Sequence, residues 1–360
     1  MKKQLFLLPL LTLASLGLSG CKLDKRVRLT YGTLVDTEAQ EIVYGTLASK
    51  ISRGENFFVA VYQDGLPCGC WTTFKEVLNQ YVTEYDTKMY YIARSQFSED
   101  TDNFGLTLLN DISDPTFALI KDGKKVNEFI YGKDTKPMFQ SVTGLRKAVS
   151  KIAKDPQYFY VDIDYLDHAL FESKEDVIIY YLWSFCPDCN DCLPNVMTPY
   201  SEKNDFSHTV WLVDLAIPGC LLNDEGQWEG TGIQTYVDFL HEHKMSSYEG
   251  NEKFGYDRGF VPTTQVWKDG ELKDMTVYFN DGIEKNDAGK YIITRSYYSE
   301  DRIKDLSYTN EILEGKEIPA EQIDVEVDAE TGVEKYSWKA DYARLYHKPI
   351  LESFFNKYVK

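Results

Sequence analysis

Three of the seven cysteines in this 360-residue chain fall in one short run, Cys186-Pro187-Asp188-Cys189-Asn190-Asp191-Cys192. Two thiols in Cys-x-x-Cys spacing at the start of a helix are equipped for thiol–disulfide exchange. The first sulfur meets the unpaired N–H groups and positive dipole end of the helix, which favour a thiolate. The second lies one turn in, within reach of a mixed disulfide formed on the first. On this reading Cys186 is the nucleophile and Cys189 the resolving thiol, with Trp183 and Phe185 as apolar walls. Two other readings use the same residues: an inert structural bridge, or a metal held by Cys186, Cys189 and Cys192. A zinc or copper site would be expected to recruit a nearby histidine, and His208 falls well past Cys189, inside a strand. Asp188 opposes thiolate formation and by itself pushes the site toward a reductant.

The apolar run Val177-Ile178-Ile179-Tyr180-Tyr181-Leu182 reads as a buried strand feeding the cysteines. Downstream, Pro262-Thr263-Thr264-Gln265-Val266-Trp267-Lys268-Asp269-Gly270 echoes Pro115-Thr116-Phe117-Ala118-Leu119-Ile120-Lys121-Asp122-Gly123. Each copy reads as a strand that opens after proline and closes in an Asp-Gly hairpin turn. Each also follows an apolar strand and a cysteine pair, Phe57 to Tyr62 before Cys68 and Cys70 in the first copy. With Pro194 in the helix after Cys189 and Val261-Pro262-Thr263 ahead of a strand, the pattern resembles the thioredoxin family. The resemblance implies an α/β fold of two tandem thioredoxin-like domains, each a central mixed sheet flanked by helices. It also implies a helix kink at Pro194 and cis peptide bonds before Pro262 and, more weakly, Pro115. Backbone at Val261 would then dock a peptide-like client beside the thiols. Two positions depart from the family: Tyr180 stands where a buried acid is usual, so proton transfer must use water or another group, and Phe185 replaces a common Trp.

The first domain is expected over 28–152, with Arg28 to Tyr31 as its first strand and Ala39 to Ser52 as a helix. Residues 153–157 read as a linker, and 158–360 as a second domain with insertions near 217–259 and 280–339 and a closing helix over Tyr342 to Tyr358. Such insertions would shape client choice. Cys68 and Cys70 are separated by one residue. They read either as a strained, easily reduced second redox pair or as the remnant of a site kept for client binding.

The N-terminus is basic at Met1-Lys2-Lys3 and apolar from Leu5 to Leu18, too short and interrupted for a membrane span and suited to a signal peptide. Leu18-Ser19-Gly20-Cys21 resembles the lipobox of bacterial lipoproteins. That implies removal of residues 1–20, lipidation of Cys21, a tether over 21–27, and a place on the outer face of the bacterial cytoplasmic membrane. Disulfides persist there. Setting Cys21 aside leaves an even number of cysteines, whose simplest arrangement is Cys186 with Cys189, Cys68 with Cys70, and a structural Cys192–Cys220 bridge; the count leaves the connectivity open. Lys plus Arg total 39 against 57 Asp plus Glu, a net charge of −18, which argues against nucleic acid or an anionic lipid surface as partner. No phosphate-binding loop, paired catalytic carboxylates or serine elbow stands out, and no cofactor or metal is expected. The sequence therefore points to an anchored extracytoplasmic thiol–disulfide oxidoreductase acting on protein or peptide disulfides, with a membrane redox partner among the possible partners. The alternative is a non-catalytic thioredoxin-fold lipoprotein that binds a partner or peptide.

Overall fold

A computed structural model describes residues 24–360 except 66–68, 109–113, 185, 217–220, 223–227, 230–237, 241, 246–260, 278–281 and 296–314. The expectations for residues 1–20, Cys21, Cys68, Phe185 and Cys220 lie outside the described residues.

The chain starts with two short strands, β1 (Val27–Arg28) and β2 (Tyr31–Thr33), and continues into β3 (Gln40–Glu41), α1 (Tyr44–Ser52), β4 (Phe57–Tyr62), α2 (Gly69–Tyr85) and β5 (Met89–Ala93). The hairpin β6 (Thr116–Lys121) and β7 (Lys124–Ile130) and the helices α3 (Lys136–Gln140) and α4 (Val142–Val149) complete the first domain. Its sheet has the order β3-β5-β4-β6-β7, parallel up to β4 and antiparallel beyond. Residues of β4 alternate between two cores, as the pleat requires. Phe58 and Ala60 pack toward α2 and α4, whereas Phe57, Val59 and Val61 pack toward α1. Burial on both faces is why this strand reads as one unbroken apolar run.

After β8 (Ala153–Lys154) come β9 (Tyr158–Tyr160), α5 (Ile163–Asp167), β10 (Val177–Leu182), α6 (Pro187–Cys192), α7 (Thr198–Lys203) and β11 (Val210–Asp214). The short strands β12 (Leu221–Leu222) and β13 (Trp228–Glu229) pair within the first insertion. The hairpin β14 (Thr263–Lys268) and β15 (Glu271–Val277) follows. The second sheet runs β15-β14-β10-β11-β9, the same order as the first, with β2 added at its edge. The repeated Lys-Asp-Gly turns are built alike. Asp122 and Gly123 have φ of 47° and 74°, and Asp269 and Gly270 have 54° and 74°, the double left-handed geometry of a tight hairpin. Two sheets of this strand order, each flanked by helices, make the chain two thioredoxin-like domains.

The second insertion folds as β16 (Gly282–Lys285), β17 (Tyr291–Arg295), β18 (Glu317–Ile318) and the hairpin β19 (Ile323–Val327) and β20 (Glu334–Trp338). Ile283, Ile293, Ile318, Ile323 and Trp338 give it a small core of its own. The closing helix α8 (Ala340–Tyr358) joins both cores: Ile350 packs in the insertion, and Leu351, Phe354 and Phe355 in the main domain.

Three expectations change. Residues near Arg28 to Tyr31 are not the first strand of the first sheet, whose edge is β3; β1 pairs with β8 and β2 pairs with β9. The 153–157 linker therefore begins as a strand, and the N-terminal segment straps the two domains together. Gly32 makes this possible, because a Cβ there would stand 2.4 Å from the Asp86 carbonyl and 2.5 Å from the Phe159 ring. Asn56 adds a side-chain tie, donating to the Arg28 carbonyl at 3.0 Å and to Glu202 at 2.7 Å. The helix expected from Ala39 starts only at Tyr44, since Gln40 and Glu41 are drawn into the sheet beside Tyr90 and Tyr91. The bond before Pro115 is not cis; among the described residues the cis bond is Val261–Pro262.

Candidate active site

β10 delivers the cysteines to the end of the second sheet, and a tight turn at Trp183 and Ser184 starts the helix. Asp214, at the end of the neighbouring strand, holds that turn by accepting from Ser184 N–H at 3.2 Å and from its hydroxyl. Cys186 N–H donates to the Trp183 carbonyl at 2.9 Å, and Cys186 itself is the N-cap of α6, with φ −74° and ψ 123°. Its sulfur takes the place of a capping oxygen and accepts from Cys189 N–H at 3.4 Å. Pro187 fills the first helical position, where its missing N–H costs nothing. After Cys192 the helix widens into a π-helical turn over Leu193–Met197. Pro194 cannot donate the next backbone hydrogen bond, so the regular ladder breaks where the kink was expected.

Cys186, Cys189 and Cys192 are all free thiols with 8%, 1% and 0% exposure. Cys186 Sγ lies 3.4 Å from the Val261 carbonyl, which brings the Val261–Pro262 segment against the thiols. Trp183 donates its N–H toward Cys189 Sγ at 3.5 Å and packs part-buried on the core. The two sulfurs are electrostatically unequal. A hydrogen bond from Cys189 holds the Cys186 thiol below its ordinary value, against the opposing pull of burial and of the Asp188 charge. Burial, reinforced by Cys186, pushes the Cys189 thiol far up. Asp188 is half-buried, and that burial, with the charge of Asp191, pushes its carboxyl up to about 6.

Cys192 corrects an expectation. It is not bridged to Cys220: its thiol is free, turned to the inner face of α6 and sealed in the core, and burial pushes it up. Among the described residues, no group of three His, Cys, Asp or Glu side chains is arranged to hold a metal ion, and no helix is long and apolar enough to cross a membrane.

The corresponding edge of the first domain is built differently. Cys70 is disulfide-bonded, to a partner outside the described residues. Its sulfur lies 3.4 Å from a carboxylate oxygen of Asp114. Here the residue before the proline offers a side chain to the sulfur, where Val261 offers its backbone carbonyl. Trp71, the next residue, stacks on Tyr62 with ring centroids 4.4 Å apart and leans on Tyr91 at 5.3 Å.

Two residues were not identified from the sequence. Asp214 carries no motif, only its place at a strand end. His243 is fully buried, with Nδ1 3.0 Å from the Tyr181 hydroxyl and Nε2 2.8 Å from Asp167, while its carbonyl accepts from Gln265 at 3.0 Å. It fastens the end of the first insertion to the sheet face opposite α6. A lone histidine far in sequence from its partners gives no spacing signal for this.

No family model and no curated protein matches the chain. Among solved structures, a point-mutant thioredoxin from Halobacterium salinarum is 17% identical, covers 34% of this chain and 97% of its own, and gives a TM-score of 0.26. A Schistosoma mansoni thioredoxin pre-protein is 16% identical over 36% of this chain and 98% of its own, with a TM-score of 0.23. Human ERp44 in a zinc-bound form is 14% identical over 49% of this chain and 48% of its own, with a TM-score of 0.25. At such scores the likeness carries no weight, and the thioredoxin-like fold rests on the strand order and pairing of the two sheets.

Proposed function

We propose that this chain is a thiol–disulfide oxidoreductase that acts on protein or peptide disulfides through Cys186 and Cys189. The observation that carries the reading is the asymmetry of the two thiols: Cys186 caps a helix with its sulfur and is held down, while Cys189, one turn in, is covered and pushed up. Attack by the Cys186 thiolate on a client disulfide gives a mixed disulfide and releases one client thiol. Cys189 then displaces the second and leaves a Cys186–Cys189 disulfide. The Val261 carbonyl beside Cys186 supports docking of an extended client by backbone pairing. The lipobox-like Leu18-Ser19-Gly20-Cys21 supports a lipid-anchored protein on the outer face of the cytoplasmic membrane, with a membrane redox partner to recycle the site.

The alternative, a non-catalytic partner- or peptide-binding lipoprotein, draws on the 8% exposure of Cys186, which leaves little sulfur open to a client. Insulin reduction and scrambled-ribonuclease reactivation by the Lys22–Lys360 chain separate the two. Activity lost in Cys186→Ala fits exchange, and a wild type inert in every redox buffer fits the binding role.

A further inference from the structure

A groove of about 690 Å³ lies at the foot of the N-terminal tether, between the segment leading into β1, the residues after α4 and strand β7. Its floor is apolar, with Val27 buried and Val126 of β7 50% exposed. Its rim carries Lys25, Arg26 and Lys151 against one acid, Asp24. That acid is already held by Arg26 at 2.7 Å and Lys154 at 3.3 Å. Lys25 and Lys151 are exposed and, among the described residues, have no ion-pair partner. A chain of net charge −18 therefore turns a cationic, partly apolar face to solvent here. The net charge alone argues against anionic lipid; its distribution reverses that conclusion at this face.

Position points to the ligand. Cys21 stands three positions before Asp24, so a lipid on that cysteine lies at most about 11 Å of chain from the rim. That reach is little more than the depth of a headgroup layer. We infer that the groove seats the headgroup of an anionic phospholipid, so that the anchored protein rests on the bilayer with this face down. The inference rests on the lipid-anchor reading of Cys21. The Lys25 and Lys151 ammonium groups donate to the phosphodiester oxygens, and the glycerol and upper acyl carbons lie on Val27 and Val126. The anchor supplies attachment, and the groove supplies orientation. The same headgroups repel the acidic remainder of the surface, which opposes the inverted pose.

The test uses the full lipidated chain, extracted from membranes, checked by intact mass and reconstituted into vesicles of phosphatidylcholine alone or mixed with phosphatidylglycerol. Accessible amines are acetylated briefly and mapped by peptide mass. In the mixed vesicles Lys25 and Lys151 should react about fivefold more slowly than in phosphatidylcholine, and high salt should remove the protection. Lys290 and Lys335, exposed on the second insertion, should react alike in both. Lys151→Glu should return Lys25 to its phosphatidylcholine rate with Tm and flotation unchanged, whereas Lys151→Arg should keep the protection. Equal labelling of Lys25 and Lys151 in the two compositions, in a chain that still floats with the vesicles, overturns the inference. So does equal protection at Lys290 and Lys335, which removes any special role for this face. Protection reproduced by inorganic phosphate with phosphatidylcholine vesicles also overturns it and assigns the groove to a soluble anion. Failure of the anchor reading looks different: the chain carries no lipid mass and floats with neither vesicle, and both proposals fall.

Discussion

Replacing Asp188 by Asn should stabilise the protein, and the gain should depend on pH in a defined direction. Burial raises the Asp188 carboxyl from 3.8 to about 6, so the folded chain holds this proton more tightly than the unfolded chain does. The neutral form therefore contributes stability that is complete below about pH 4 and is lost as pH rises through about 6. A shift of this size corresponds to at most about 3 kcal/mol at 1.36 kcal/mol per unit. Because the side chain is only half-buried, solvent screening reduces that to about 1–2 kcal/mol. Asn cannot ionise, so the difference between variant and wild type should be near zero at about pH 4 and reach its plateau above about pH 7. Urea unfolding of both proteins under reducing conditions at a series of pH values measures it directly. The same substitution removes a charge that raises the Cys186 thiol, so iodoacetamide should label Cys186 faster in the variant near neutral pH. A stability gain that is flat with pH, or a Cys186 that becomes less reactive, would refute the reasoning.

Three further outcomes are expected. Alkylation of the reduced protein followed by peptide mapping should mark Cys186 first, Cys189 later and Cys192 only on unfolding; early labelling of Cys189 would reverse the assigned roles. Gly32→Ala should cost about 1–3 kcal/mol in thermal unfolding, because its Cβ would strike backbone and ring at the strap between the domains; an unchanged Tm would show that the strap yields. Asp274 is buried in the middle of β15 and accepts from Lys357 at 2.8 Å, from the Tyr358 hydroxyl and from Met275 N–H at 2.9 Å. Asp274→Ala should cost about 2–3 kcal/mol and loosen the C-terminal end of α8 in hydrogen exchange, whereas protection unchanged there would contradict its docking role.

The sequence was legible where local chemistry decides the structure. Asp-Gly after an apolar strand fixes a hairpin through its left-handed backbone, so both β6-β7 and β14-β15 could be read from a few residues each. Cys186-Pro187 likewise announces a helix start, and the run from Val177 to Leu182 a strand buried on both faces. What escaped was decided by distant partners. Tyr31 to Thr33 is too short and mixed to declare a sheet, and only the Phe159 ring and Tyr160 carbonyl show why it joins the second domain. The free state of Cys192 follows from the face of α6 it occupies, which a count of cysteines does not encode. Pro115 and Pro262 share a motif, yet Asp114 turns a carboxylate to its sulfur where Val261 turns a carbonyl. His243 and its partners Tyr181, Asp167 and Gln265 come from four separate segments and leave no trace in spacing.

The central claim, that Cys186 attacks client disulfides and Cys189 resolves them, is tested most directly by trapping. Cys189→Ala should remove resolution alone, so incubation with a disulfide-bonded client should leave a covalent adduct visible without reductant and released by dithiothreitol. Peptide mass mapping should place that adduct on Cys186, and the additional Cys186→Ala substitution should abolish it. No adduct, or an adduct mapped to Cys192 or Cys70, would contradict the account.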